Sequence, residues 1–142
     1  MRLFSFTGNN LLSKNQYAVT TFIKSALSGN KVEVLGDPLT VRSYLHQDSM
    51  SEWILKALAT NELNSCYQIG SNEAVTIGQL AKFIALETGA EIAYSKVPPS
   101  GDIYIPDNTE TRIKLGVEEG KGWEEAVLEM IAEARLLNNA TE

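Results

Sequence analysis

The residue types best suited to chemistry fall between positions 36 and 48. Arg42, Tyr44 and His46 alternate along the strand-like run Arg42-Ser43-Tyr44-Leu45-His46, so their side chains are expected on one face. An arginine between a Gly36-Asp37-Pro38 turn and an apolar strand end suits phosphate recognition, because its planar fork makes two directed, charge-assisted hydrogen bonds. The alternative for Arg42 is an ordinary structural salt bridge. His46 is the single histidine and the one candidate general base of its kind; the competing role is a strand-end ring hydrogen-bonded to a neighbour. Lys14 and Lys24 add cationic character near the first helix, although lysines on helices are mostly solvated. Asp48 and Glu52 stand at i and i+4 near a helix start, where carboxylates serve the helix dipole more often than catalysis. The lone Cys66 excludes an internal disulfide and a multi-cysteine zinc site, and one histidine excludes a two-histidine metal motif. No metal site is expected.

Four segments carry the helical period that would position such groups. Val19, Phe22, Ile23, Ala26 and Leu27 form one stripe, with Gly29 as the stop. Met50, Trp53, Ile54, Ala57 and Leu58 form a second. A third opens on the capping-box pattern Thr76-Ile77-Gly78-Gln79, buries Ile77, Leu80, Ala81 and Ile84, and ends at Gly89. The fourth starts near Gly122 and turns Trp123, Ala126, Val127, Met130, Ile131 and Ala134 inward. A shorter helix over 107–115 has Asp107 as its cap. Five strand-like runs lie between them, at 2–6, 31–35, 42–46, 66–69 and 91–94. That alternation predicts a mixed α/β domain with about five short strands and four to five helices. Residues 95–106, with Pro98-Pro99-Ser100-Gly101, read as a long binding-type loop.

At 142 residues the chain is expected to form one domain over 1–137, followed by a disordered tail at 138–142. Twelve basic against 18 acidic residues give a net charge of −6, which argues against nucleic-acid or anionic-membrane binding. No apolar run approaches the roughly 18 residues of a membrane span, and the first residues do not form a signal peptide. A cytoplasmic location is the expectation.

Taken in order, these segments resemble one family. Arg2-Leu3-Phe4-Ser5-Phe6-Thr7-Gly8 is similar to the R-x-F-N/S-x-x-G strand of nucleotide-sugar epimerases and dehydratases, the extended branch of the short-chain dehydrogenase/reductase superfamily. Gly36-Asp37-Pro38-Leu39-Thr40-Val41-Arg42-Ser43-Tyr44-Leu45-His46-Gln47-Asp48 resembles the family's GDG…xR-D/S-F/Y-I/L-H/Y-V-D-D. Cys66-Tyr67-Gln68-Ile69-Gly70-Ser71 is similar to xYNIGS, and Val75-Thr76-Ile77-Gly78-Gln79-Leu80-Ala81 to vTIxELA. Residues 108–116 resemble the D-x-S/T-K/R-A-x-x-x-L-G helix, and Trp123-Glu124-Glu125-Ala126 the closing S-L-E-E-G turn. The ordered set covers residues 2–136.

That family has an N-terminal Rossmann part that holds NAD(P) and a smaller C-terminal part that grips a nucleoside-diphosphate sugar. The chain resembles the second part alone. Its ten glycines never form the Gly-rich turn that brings backbone amides against a pyrophosphate. None of Tyr17, Tyr44, Tyr67, Tyr94 and Tyr104 has a lysine four residues on, so the family's Tyr-x-x-x-Lys pair is missing as well. The resemblance therefore implies no catalytic residue and no cofactor in this chain, with NAD entering only through a separate Rossmann partner.

As substrate-binding residues it implies Arg42 and Ser5 toward the phosphates, Lys14 and Tyr17 over the nucleotide, and Leu35 and Gly36 against the base. His46 joins them through the polar strand face. Gln68 and Pro38 depart from the family pattern, and Gly101-Asp102-Ile103-Tyr104 lacks the family's PGDxxR arginine. Loss of a second phosphate-facing arginine would weaken binding by about 1–3 kcal/mol. The implied function is a stand-alone substrate-binding domain for a nucleotide sugar. The alternatives are a subunit completing a separately encoded Rossmann chain, or a truncated product with an interaction role, such as a homodimer that covers an apolar face. A guanidinium at position 42 that is buried and tied to a carboxylate would remove the binding role.

Overall fold

The computed structural model describes residues 1–13, 17–60 and 65–139. Its architecture is mixed α/β: nine short strands and five α-helices among the described residues, with one 3-10 turn at Asn9–Leu11. In chain order the strands are β1 Arg2–Leu3, β2 Phe6–Thr7, β3 Val32–Val34, β4 Val41–Arg42, β5 Leu45–His46, β6 Gln68–Ile69, β7 Val75–Thr76, β8 Ile92–Tyr94 and β9 Ile103–Tyr104. The helices are α1 Ala18–Leu27, α2 Gln47–Ala59, α3 Ile77–Thr88, α4 Thr109–Leu115 and α5 Trp123–Asn139.

The strands form four small sheets. β1–β6, β2–β5 and β3–β8 are parallel pairs, and β4 lies between antiparallel β7 and parallel β9. Two expected strands are therefore each divided. The chain leaves β6 after Leu3 and joins β5 at Phe6; it leaves the β7–β4–β9 sheet after Arg42 and joins β2 at Leu45. Arg42 and Tyr44 still line one cleft, as alternation requires, while His46 does not, so the expectation of one shared face is met by two of the three residues.

Two apolar clusters hold the elements. In the larger one, α1, α3 and α5 bury Val19, Phe22, Ile23, Leu80, Ile84, Val127 and Met130 against Val32 and Val34. The smaller gathers Leu45, Trp53, Tyr67, Ile69, Leu115 and Val117. α3 starts on a complete capping box: Thr76 Oγ1 accepts from Gln79 N–H at 3.0 Å, and Gln79 Oε1 accepts from Thr76 N–H at 2.8 Å. It stops at Gly89, whose φ of 75° is left-handed. Asp107 Oδ1 accepts from Thr109 N–H at 3.1 Å and so does the capping expected of it, although Asn108 occupies the cap position of α4. α5 runs on to Asn139, two residues into the stretch expected as a tail, and Leu137 and Asn138 line a depression with Lys24, Leu27 and Ser28 at the end of α1. The remaining tail positions, 140–142, lie outside the described residues. No helix among the described residues is long and apolar enough to cross a membrane.

Candidate functional site

The change of sheet partner at residues 4–5 leaves Phe4, Ser5 and Phe6 along one wall of a cleft of about 640 Å³. The start of α1 supplies Tyr17, Thr21 and Phe22, the end of β3 supplies Glu33, Leu35 and Gly36, and β4 and β9 supply Arg42 and Tyr104. Segments distant in sequence thus converge, and they bring Ser5, Tyr17, Leu35, Gly36 and Arg42 to one cleft. Lys14 lies outside the described residues.

His46 is elsewhere. It is buried at the N-terminus of α2, where Nδ1 accepts from Asp48 N–H at 3.2 Å. That bond leaves the proton on Nε2, which donates to Glu129 Oε2 at 3.1 Å. Lys121 binds the same carboxylate and, ahead of His46, holds it below the usual glutamate range. His46 joins α2 to α5, so its geometry is that of the neighbour-bonded ring and not of a cleft residue.

Most of the cleft wall is aromatic or aliphatic. Tyr17, Leu35 and Tyr104 remain 40%, 68% and 44% exposed, offering apolar surface to a flat ring. Phe4 stacks on Tyr104 with ring centroids 4.6 Å apart. Gly70 permits that arrangement: a Cβ there would come within 2.6 Å of the Phe4 Cβ. Tyr44 is buried in the wall, and burial pushes its phenol up to about 12 against a smaller opposing pull from Arg42.

The polar rim is built around Asp37. Its Oδ1 accepts from Leu39 N–H at 2.9 Å, a local turn bond. Its Oδ2 accepts from Ser100 N–H at 2.6 Å and Ser100 Oγ at 3.0 Å. The Leu39 and then the Ser100 amides hold the carboxyl below the usual aspartate range. They also fasten the 95–102 loop to the cleft, where Val41 N–H donates to Asp102 O at 2.8 Å.

Arg42 Nη1 donates to Val41 O at 2.8 Å, and Nη2 donates to Asp102 Oδ2 at 2.6 Å. Half of the arrangement that would remove a phosphate-binding role is therefore present. Arg42 is tied to a carboxylate, but its side chain is 26% exposed and that of Asp102 53%. The pair is open to solvent at the cleft edge. Sequence reasoning did not anticipate Asp102 and Ser100 as rim residues or Phe4 and Tyr104 as a stacked pair. The Asp-Pro turn at Asp37 was a local signal; the other contacts span some 60 to 100 residues and leave none. Among the described residues, no three histidine, cysteine, aspartate or glutamate side chains gather as metal ligands.

No family model matches the chain. Curated relatives do. A trifunctional UDP-glucose 4,6-dehydratase/UDP-4-keto-6-deoxy-D-glucose 3,5-epimerase/UDP-4-keto-L-rhamnose-reductase of Arabidopsis thaliana is 30% identical over 128 residues, covering 84% of this chain and 19% of the relative. The dTDP-D-glucose 4,6-dehydratase of Mus musculus is 28% identical over 131 residues, covering 84% of this chain and 37% of the relative. Among solved structures, the UDP-glucose 4-epimerase of Thermotoga maritima with UDP-glucose superposes with a TM-score of 0.84 at 28% identity, over 96% of this chain and 45% of the epimerase. A dTDP-glucose 4,6-dehydratase of Bacillus anthracis in complex with NAD gives 0.85 at 20% identity, over 97% and 44%. The chain thus spans about a fifth of the plant relative and less than half of the solved enzymes. It belongs to the NAD-dependent nucleotide-sugar epimerase/dehydratase family, in the extended short-chain dehydrogenase/reductase branch, and corresponds to that family's C-terminal-type region.

Proposed function

We propose that the cleft binds a nucleoside-diphosphate sugar and that these 142 residues carry out no hydride chemistry by themselves. The convergence of Ser5, Tyr17, Leu35, Gly36 and Arg42 on one cleft is the observation that carries this reading. A volume near 640 Å³ suits a small-molecule ligand, for which pockets run about 300–1,000 Å³. Leu35 and Gly36 would pack on the base, Tyr17 would cover the nucleoside, and Ser5 and Arg42 would face the phosphates. Lys14 stays in the proposal on its sequence resemblance alone. His46, bonded to Glu129, has no part in it.

Tyr44, one of three tyrosines in the wall, is poorly suited to act as a base. A phenol serves as a base near neutral pH only when its pKa is lowered, and burial moves Tyr44 the other way, to about 12. NAD-dependent turnover on this cleft would need a cofactor-binding domain from outside these residues. Titration calorimetry with UDP-, dTDP- and CDP-sugars tests the binding claim: saturable heat from at least one is expected, and silence from all three to millimolar concentration would defeat it.

A second reading, assembly with a Rossmann domain or a second copy, is favoured by the exposed apolar side chains Met1, Leu3 and Ile103 on the β1–β6 and β4–β9 edges. Sedimentation should then show mass above the monomer, or co-purification of a Rossmann chain. A clean monomer that recruits neither counts against it.

A further inference from the structure

The charges at the cleft divide the ligand unequally. Among the described residues Arg42 is the only lysine or arginine on the walls, which also carry the carboxylates of Asp37 and Glu33. Arg42 already has an anion. Asp102 Oδ2 stands 2.6 Å from Nη2, while Nη1 donates to the Val41 carbonyl. Asp102 is fixed there by its own backbone: its carbonyl accepts from Val41 N–H at 2.8 Å, and its N–H donates to Ser100 Oγ at 3.3 Å. Ser100 is in turn fastened to Asp37 at 2.6 and 3.0 Å.

An arginine so paired presents little net charge to an incoming anion. A phosphate gains a charge-assisted bond only by displacing the aspartate or by sharing the guanidinium with it, and either gives back much of what is gained. The aromatic and aliphatic walls carry no such offset. Tyr17, Leu35 and Tyr104 are open to a planar ring, and covering them removes apolar surface from water.

We propose that this cleft takes its affinity from the nucleoside and not from the diphosphate, with Asp102 as the specificity-determining residue that holds the arginine's anion position. The inference rests on the nucleotide-sugar reading above and deepens it.

Calorimetry on the 142-residue chain with uridine, UMP, UDP and UDP-glucose, and with their thymidine and cytidine counterparts, tests it at low and moderate salt. In the base series that binds, the diphosphate should bind within about threefold of the nucleoside, with little dependence on salt. Asp102→Asn should leave nucleoside affinity unchanged and tighten the diphosphate about five- to tenfold, with salt sensitivity appearing. A wild-type diphosphate already more than tenfold tighter than its nucleoside would overturn the proposal, and that comparison needs no variant. So would an Asp102→Asn chain that is folded by circular dichroism and keeps the wild-type ratio, or one that loses nucleoside binding. Absence of binding by every ligand removes the nucleotide-sugar reading itself, and this inference with it.

Discussion

Tyr44 links the cleft wall to the stability of the domain. Burial favours the neutral phenol in the folded state and raises its pKa to about 12, against about 10 in the unfolded chain. The folded state therefore holds the proton more tightly. The resulting stabilisation is complete below the unfolded value and is lost as pH rises through the folded one. Between about pH 10 and 12 the wild type should lose on the order of 2–3 kcal/mol more than Tyr44→Phe, which has no phenol to ionise. Urea midpoints across that range measure the difference; parallel slopes for the two chains would contradict it. Asp37 behaves in the opposite sense. The amides of Leu39 and Ser100 hold its pKa low, so its contribution is present above the unfolded value of about 4 and fades as pH falls below it. Asp37→Asn should accordingly melt below wild type at neutral pH, with the gap closing as acid protonates the wild-type carboxylate.

α3 is the element whose origin is easiest to trace. Its cap, apolar stripe and terminal glycine all lie within 14 residues of sequence, from Thr76 to Gly89, and each takes its expected place. Thr76→Ala removes the acceptor for Gln79 N–H and frees Gln79 from its reciprocal bond, at a cost of about 1 kcal/mol. Thermal melts measure that loss, and ligand titrations should be unchanged, because Ile77 and not Thr76 lines the cleft. The strands were less legible. Phe4-Ser5 and Ser43-Tyr44 have the composition of strand interiors, yet the chain changes partner at both, and partner choice depends on segments far away. β9 has no period of its own and exists because Val41–Arg42 offers it an edge. The site divides in the same way. Leu35, Gly36 and Arg42 sit in runs that resemble a family. The Asp102 carboxylate on Arg42 and the Tyr104 ring on Phe4 are contacts across about 60 and 100 residues, and such pairings leave no mark on local composition.

At the scale of the molecule, two apolar clusters must act as one body, and residues 118–119 tie the elements around the smaller one to the segment that leads into α5 of the larger. Trp53 Nε1, in the smaller cluster, donates to Glu118 O at 3.0 Å, and Ser49 Oγ donates to Glu119 O at 2.7 Å. The Glu119 carboxylate accepts from Ser71 Oγ, from Asn72 N–H at 3.1 Å and from Asn108 Nδ2 at 2.5 Å. One glutamate thus ties the β6–β7 turn, the cap of α4 and the approach to α5. Asn108 is fully buried, so Glu119→Ala strands part of a buried amide, with an expected cost of about 2–4 kcal/mol. Where that loss falls can be read separately. In a Trp123→Phe background, Trp53 fluorescence reports the smaller cluster, while far-ultraviolet circular dichroism follows mainly the helices of the larger one. With Glu119 in place the two signals should unfold at the same urea concentration, as a cooperative domain requires. With alanine there, the fluorescence transition should move to lower urea and leave the circular dichroism transition behind it. Two transitions that shift together would mean that the clusters are coupled through α5 instead, and that residues 118–119 only decorate the joint.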